Sequence, residues 1–183
     1  TAMQPDLERR GISVAVDGEK IVGHAIVYGS LSQDLGGFRE LVRSGAARAA
    51  VKPSADVVAL YNHDMGLVLG RTPITLHLTE DERGLAFELT PPNTAAGRDA
   101  LELVRRGDVR GASFGFRTLM DAWRNDQGAV VRELLEIDIH EISLTAFPYY
   151  KDTDVAVAKR AYQEFQSETG GKRIDWLKLT LRV

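Results

Sequence analysis

The chain has 183 residues, of which 44% are hydrophobic and 27% are charged, a composition typical of one globular domain. It contains no cysteine, which excludes disulfides, thiolate nucleophiles and cysteine-ligated zinc, and we expect neither a metal nor a cofactor. The formal net charge of -3 and the lack of an apolar run of about 20 residues predict no nucleic-acid partner and no membrane span. The N-terminal residues lack the pattern of a secretory signal, so we expect a cytoplasmic protein.

The first elements predicted along the chain are a hairpin and a short helix. Residues 12–16 and 21–28 are β-branched runs on either side of Asp17-Gly18, a pair that favours a tight hairpin turn. Apolar residues between 38 and 42 stand at helical spacing after two glycines, which predicts a short helix that ends near Gly45.

The middle of the chain predicts three more strands. Residues 57–61 are almost all apolar, which is typical of a strand buried on both faces. Residues 72–78 alternate, with Ile74, Leu76 and Leu78 on one face, and a polar turn joins them to a strand over residues 85–89.

A well-marked helix follows. Asn93 or Thr94 can cap its N-terminus, it runs to about Arg106, and Gly107 suits the left-handed position after its last turn. Residues 112–119 and 130–144 then predict two further strands joined by a polar turn.

The last part of the chain predicts an amphipathic helix around residues 157–165, a hinge at Gly170-Gly171 and a strand within residues 174–183 that needs a partner. The pattern as a whole predicts an α+β fold dominated by strands, with two or three helices. We expect a core over residues 1–157 and a C-terminal helix and tail over residues 158–183.

Few residues are candidates for chemistry. His77 stands on the polar face of its strand and His24 has no acidic neighbour in the sequence, so a surface role and a packing role are predicted for them. His63 follows the apolar strand at residues 57–61, where a buried strand reaches the surface. Ser113 lies between small and aromatic residues, a pattern that fits either a nucleophile or a serine that only packs.

A cluster of titratable residues lies on the last long strand: Glu136, Asp138, His140 and Glu141. Alternation places Glu141 inward, where a carboxylate needs a cationic or hydrogen-bonding partner. The apolar residues after Glu141 take the opposite phase, so we expect a bulge near this position. Either a site or a structural ion pair with an arginine would explain the pattern.

Several short motifs occur in an order that resembles the HK97-type prohead proteases of tailed phages. The resemblance covers roughly residues 21–157 and is carried by Leu60-Tyr61-Asn62-His63-Asp64, Leu69-Gly70-Arg71-Thr72, Arg83-Gly84-Leu85, Gly97-Arg98-Asp99-Ala100, Ser113-Phe114-Gly115-Phe116 and Glu141-Ile142-Ser143-Leu144. It implies a serine endopeptidase with a mostly antiparallel, β-barrel-like core similar to herpesvirus assemblins. One departure is that Tyr149-Tyr150 follow Pro148 where family members often carry Pro-Ala.

The resemblance also implies roles for single residues. Ser113 matches the nucleophile, His63 the histidine and Glu141 the acidic residue, with His140 and Asp138 as alternatives for the third position. The implied substrates are the scaffold segment and the major capsid protein precursor, cleaved inside a procapsid that assembles in the host cytoplasm. A homodimer is expected by analogy with the herpesvirus enzymes. The rival hypothesis is a non-catalytic capsid assembly module with the same fold.

The sequence leaves open which groups stabilise the oxyanion and what the C-terminal element does. Backbone amides or Arg71 are candidate donors to an oxyanion. The C-terminal element could serve as a dimer contact, as a tether to the shell or as a segment removed by self-cleavage.

Overall fold

The computed structural model describes residues 8–126, 128–146, 152–169 and 178–181. The helices are α1 (Ala95–Arg106) and α2 (Asp152–Thr169), with a short 3-10 turn at Arg48–Val51. The strands are β1 (Glu8–Asp17), β2 (Lys20–Val27), β3 (Phe38–Val42), β4 (Val58–Tyr61), β5 (Asp64–Arg71), β6 (Leu76–Glu80), β7 (Gly84–Leu89), β8 (Gly111–Asp126), β9 (Ala129–Thr145) and β10 (Lys178–Leu181). These elements confirm the predicted strand-dominated α+β class.

The ten strands form one nearly closed, barrel-like sheet. Its order is β5-β4-β9-β8-β1-β2-β7-β6, with β3 added to β9 and β10 added to β8. The two end strands, β5 and β6, follow each other in the chain, and a turn at residues 72–75 joins them. Strands β3 and β4 run parallel to β9, while the other pairs are antiparallel.

The long β8–β9 hairpin is the centre of this sheet, because strands add to both of its outer edges. Along β8, β1 pairs with residues 111–116 and β10 with residues 120–123. Along β9, β3 pairs with residues 130–134 and β4 with residues 141–144. The half of the hairpin that carries Ser113 and Glu141 is therefore held between β1 and β4.

The main core lies on one face of this hairpin. Phe114 and Phe116 of β8 pack there with apolar residues of β9, including Ile139 and Ile142. Side chains alternate across a strand, so Ser113 and Gly115 point to the opposite face. The candidate site therefore lies on the face of the hairpin opposite Phe114 and Phe116.

The short helix predicted over residues 38–45 is wrong. Residues 38–42 form β3, which pairs in parallel with β9. Glu40 is buried here, and Arg132 Nη1 of β9 donates to its carboxylate at 2.9 Å. Apolar residues at positions 38, 41 and 42 fit a strand that is buried on both faces as well as a helix face, so the spacing alone misled.

The strand predicted over residues 72–78 begins later, at Leu76. The amides of Ile74 and Thr75 both donate to the carbonyl of Arg71, which makes the preceding residues a turn. Ile74 is 82% exposed there and does not share the inward face predicted for it.

Helix α1 follows its sequence signals. The Thr94 hydroxyl accepts a hydrogen bond from the amide of Gly97, and Gly107 ends the helix at φ +79°. Gly97 is also required by packing, since a Cβ at this position would collide with the carbonyl of Pro92.

We expect Gly97→Ala to destabilise the protein, although alanine is the better helix former. The added methyl group has no room beside Pro92, and such overpacking costs about 1–3 kcal/mol in the free energy of unfolding. Urea denaturation measures this change. Asp99→Ala, at an exposed position of the same helix, is the control and should stay within about 0.5 kcal/mol of wild type. A Gly97→Ala protein as stable as wild type would contradict the packing argument.

Helix α2 packs on the sheet through a second, aromatic cluster. Tyr162 and Phe165 of the helix lie against Trp123 of β8, with ring centroids 5.6 and 5.0 Å away, and Phe38 of β3 lies 5.1 Å from the same ring. Ala158 and Ala161 are buried at this contact. The described helix is longer than the predicted one, and it starts before the predicted boundary at residue 157.

The C-terminal tail finds the strand partner that its pattern requires. Lys178–Leu181 form β10 and pair antiparallel with residues 120–123 of β8. The predicted hinge at Gly170-Gly171 and the Pro148–Tyr150 segment lie outside the described residues. The division into a core and a C-terminal element stays a prediction. Neither described helix is long and apolar enough to cross a membrane.

Candidate active site

His63 is held by a tight turn at the end of β4. Tyr61 pairs with Asp64, so Asn62 and His63 are the two loop residues of the β4–β5 hairpin. Both have positive φ, +52° and +61°, the pattern of a type I′ turn. The amide of Asn62 donates to the carbonyl of Leu144 at 2.8 Å, which ties the turn to β9.

The left-handed conformation of His63 is uncommon for a residue other than glycine, although histidine and asparagine adopt it more readily than most. Backbone conformations of this kind persist where the surrounding structure imposes them, and they concentrate at functional sites. The turn therefore points the imidazole in a direction that a regular strand end would not.

The ring of His63 contacts the carboxylate of Glu141. Nδ1 lies 2.7 Å from Oε1, and the exposed fractions of the two side chains are 23% and 7%. A carboxylate can only accept, so the hydrogen is assigned to Nδ1, which leaves Nε2 as the acceptor of the neutral ring. This arrangement matches the orientation of a general base by a buried acid.

Glu141 reaches this position because β9 bulges, as predicted. Gly115 of β8 pairs with Glu141, but the next residue, Phe116, pairs with Ile139, so His140 is the extra residue. The bulge moves Glu141 to the face opposite Ile139 and toward His63. Glu141 is buried, but it lies on the face opposite Ile139 and not in the phase predicted for it, and the partner of its Oε1 is the ring of His63.

Ser113 lies on the same face of the hairpin as Glu141. It pairs with Ser143, two residues along β9 from Glu141, so Ser113 and Glu141 are diagonal neighbours. The Cα atoms of such neighbours are about 7–8 Å apart. The residue opposite Glu141 is Gly115, which brings no side chain between the two groups. Ser113 itself is only 5% exposed.

The two alternatives for the third position contact each other. His140 Nε2 lies 3.3 Å from Asp138 Oδ2. Of the three candidates, Glu141 is the one for which the described residues show a hydrogen bond to His63.

The remaining histidines lie elsewhere. His77 is exposed on β6, as predicted. The packing role predicted for His24 is wrong, because His24 Nε2 lies 2.9 Å from Asp81 Oδ2. This contact is the main cause of a lowered pKa at Asp81, whose other oxygen accepts from the amides of Arg83 and Gly84. The pair joins β2 to the turn between β6 and β7, 57 positions away in the chain, so the residues next to His24 could not indicate it.

Arg71, a candidate oxyanion donor, is already engaged. Its guanidinium donates to both carboxylate oxygens of Asp56, one of them at 2.6 Å. Arg71 pairs with Val58 at the start of β4, whereas His63 follows the end of that strand. At about 3.3 Å per residue the two lie at opposite ends of β4.

The sequence did not identify Ser143 as a residue of the site. Ser143 is fully buried, and its hydroxyl donates to Glu141 Oε2 at 2.8 Å. Its signal was its spacing, since a residue two positions from Glu141 on a strand shares the same face. Within the described residues, no cluster of three or more histidine or acidic side chains is arranged to hold a metal ion.

Comparison with known families identifies the family of the chain. The family model described as caudovirus prohead serine protease matches residues 6–168. Neither a curated protein nor a solved structure matches the chain significantly, so the expected likeness to herpesvirus assemblins stays a prediction. A match over this much of the chain means that the protein belongs to the caudovirus prohead serine proteases.

Proposed function

We propose that this protein is a serine endopeptidase that matures the phage procapsid through an acyl-enzyme at Ser113. The proposal rests on one arrangement in a chain of this family: a buried carboxylate that hydrogen-bonds a histidine stands diagonally across from a serine on the same face of the β8–β9 hairpin. His63 serves as the general base, and Glu141 orients its ring.

The diagonal spacing of Ser113 and Glu141 supports this assignment. The backbone positions of such diagonal neighbours are about 7–8 Å apart, so one imidazole from the adjacent β4–β5 turn can serve both side chains. With Nδ1 bound to Glu141, the free Nε2 is the atom available to the Ser113 hydroxyl. The absence of a side chain at Gly115 leaves room for the ring on this face.

The chemistry follows from these roles. The Ser113 oxygen attacks the carbonyl carbon of the scissile peptide bond while His63 Nε2 takes the hydroxyl proton. The imidazolium then gives that proton to the leaving amine, the C–N bond breaks, and an ester to Ser113 remains. A water molecule, deprotonated by the same nitrogen, hydrolyses the ester and restores the serine. Glu141 stabilises the imidazolium in both halves of the reaction.

The biological setting is part of the proposal. The substrates are the scaffold segment and the major capsid protein precursor, and the site of action is the procapsid interior in the host cytoplasm. A homodimer and self-cleavage of the C-terminal element are further proposals. The family is what supports the setting, because a prohead protease acts during capsid maturation.

A non-catalytic assembly module with the same fold is the second candidate. The intact residues at positions 63, 113 and 141 favour the enzyme. A module released from catalysis would have no reason to keep a buried glutamate paired with a histidine in a left-handed turn.

We expect a fluorophosphonate probe to label the protein at Ser113 and at no other serine. The probe reacts with serines that a neighbouring base activates, and unactivated surface serines do not react. Peptide mapping by mass spectrometry locates the adduct, and His63→Asn should slow labelling by about 100-fold or more. An unlabelled wild-type protein would favour the assembly module, and labelling at another serine would contradict the assignment of Ser113.

A further inference from the structure

The face of β9 that carries Glu141 also carries a hydroxyl group that the proposed mechanism does not use. Ser143 is two residues from Glu141, is fully buried, and lies directly opposite Ser113 on β8. Its hydroxyl donates to Glu141 Oε2 at 2.8 Å. Ser143 thus touches the proposed triad from inside the protein.

We propose that Ser143 is a positioning residue for catalysis, acting through the carboxylate of Glu141. The inference rests on the proposed function, since it assigns Ser143 a part in the same reaction. Ser143 does not touch the substrate. It determines which way the acid faces.

The two oxygens of Glu141 have different partners. Oε2 accepts from the Ser143 hydroxyl and Oε1 lies 2.7 Å from His63 Nδ1. A carboxylate bound at only one oxygen can rotate about its last torsion, which is broad and roughly two-fold. The hydrogen bond from Ser143 restricts this rotation and favours one orientation of the acid toward the imidazole.

Burial makes this hydrogen bond important. Both side chains are almost inaccessible to water, so no solvent molecule is at hand to replace the hydroxyl group. A hydrogen bond to a charged group in such surroundings is stronger than one at the surface. Groups that orient metal ligands change metal affinity or activity by about 10- to 100-fold when removed, and we expect an effect of this size for a group that orients a catalytic acid.

The strand also explains why a small hydroxyl residue stands here. Ser143 faces Ser113 across the β8–β9 ladder, where Cβ atoms of paired residues are about 4.5–5.5 Å apart. A larger polar side chain would crowd the nucleophile. Serine supplies the donor with the least volume.

Two nearly isosteric variants separate the hydroxyl from the volume of the side chain. Ser143→Thr keeps the donor and adds a methyl group, while Ser143→Val has almost the same shape and no donor. The probe is the fluorophosphonate, with wild type, both variants and Ser143→Ala compared in the full chain. The measured quantities are the labelling rate at saturating probe and the probe concentration at half saturation.

We expect Ser143→Thr to label more than 10-fold faster than Ser143→Val at saturating probe, with similar half-saturation concentrations. The Thr–Val difference should shrink to within about 3-fold when Glu141 is replaced by glutamine, because a hydroxyl at position 143 then has no carboxylate to orient. Equal rates for the Thr and Val variants would overturn the inference, and so would a difference that persists beside Glu141→Gln.

Threonine and valine are both larger than serine and could disturb the core equally. Ser143→Ala removes the hydroxyl group without adding volume. Alanine fits wherever serine fits, so a folded Ser143→Ala protein that labels as fast as wild type would also overturn the inference. Failure of wild type to label at Ser113 would instead count against the proposed function. The two failures are therefore distinguishable.

Discussion

Ser113→Ala is expected to abolish cleavage of the capsid protein precursor, with a loss of about 10⁴-fold or more in kcat. The variant removes the oxygen that forms the acyl-enzyme in the proposed mechanism. The fold should survive, since the change deletes one buried oxygen and leaves the β8–β9 pairing in place.

Gel electrophoresis of the precursor mixed with each purified protein measures this loss, and thermal unfolding checks the fold. Ser54→Ala is the matched control, because Ser54 is exposed and lies outside every strand. It should cleave like wild type. Cleavage by Ser113→Ala at the wild-type rate would remove Ser113 from the mechanism and leave the assembly module as the better hypothesis.

The second large effect is expected at His63, where the choice of replacement matters. His63 has φ +61°, so alanine would add backbone strain to the loss of the base. Asparagine tolerates this conformation and has no basic nitrogen. We therefore expect His63→Asn to fold like wild type and to lose about 10³-fold or more in kcat/KM.

His77→Asn makes the same chemical change at an exposed histidine of β6 and should be fully active. His63→Asn with more than a tenth of wild-type kcat/KM would contradict the role of His63 as the base.

Strands and turns with local signals were predictable from the sequence. The β1–β2 hairpin follows from two β-branched runs and a glycine with positive φ between them. Helix α1 follows from its capping threonine and terminal glycine. In both cases the interactions that define the element lie within a few residues, so the sequence pattern contains them.

Strand β3 shows where local patterns fail. Its residues form a strand because β9 offers an edge for parallel pairing and Arg132 forms an ion pair with the buried Glu40. Both partners are about 90 residues away in the chain. The pattern of apolar residues within a few positions cannot indicate partners this far away. The apolar residues of β3 have helical spacing only because both faces of the strand are buried.

Close packing explains two of the short motifs that carry the family resemblance. Gly84 and Gly97 each lie where a Cβ would collide with a backbone carbonyl, that of Ile26 and that of Pro92. The motifs that contain Gly84 and Gly97 are therefore explained by close packing in the fold. The motifs that contain His63, Ser113 and Glu141 are the ones that lie together at the candidate site.

The sequence by itself determined the class of fold, the best-marked helix, the family resemblance and the three residues proposed for catalysis. It also indicated the bulge at Glu141, because the apolar phase of β9 changes there. Only the tertiary structure decided which acid meets His63 and that Ser143 donates to the same carboxylate. The physical reason is that the direction of a side chain depends on contacts between distant parts of the chain. A left-handed turn after β4 and one extra residue in β9 bring His63 and Glu141, 78 positions apart, into contact.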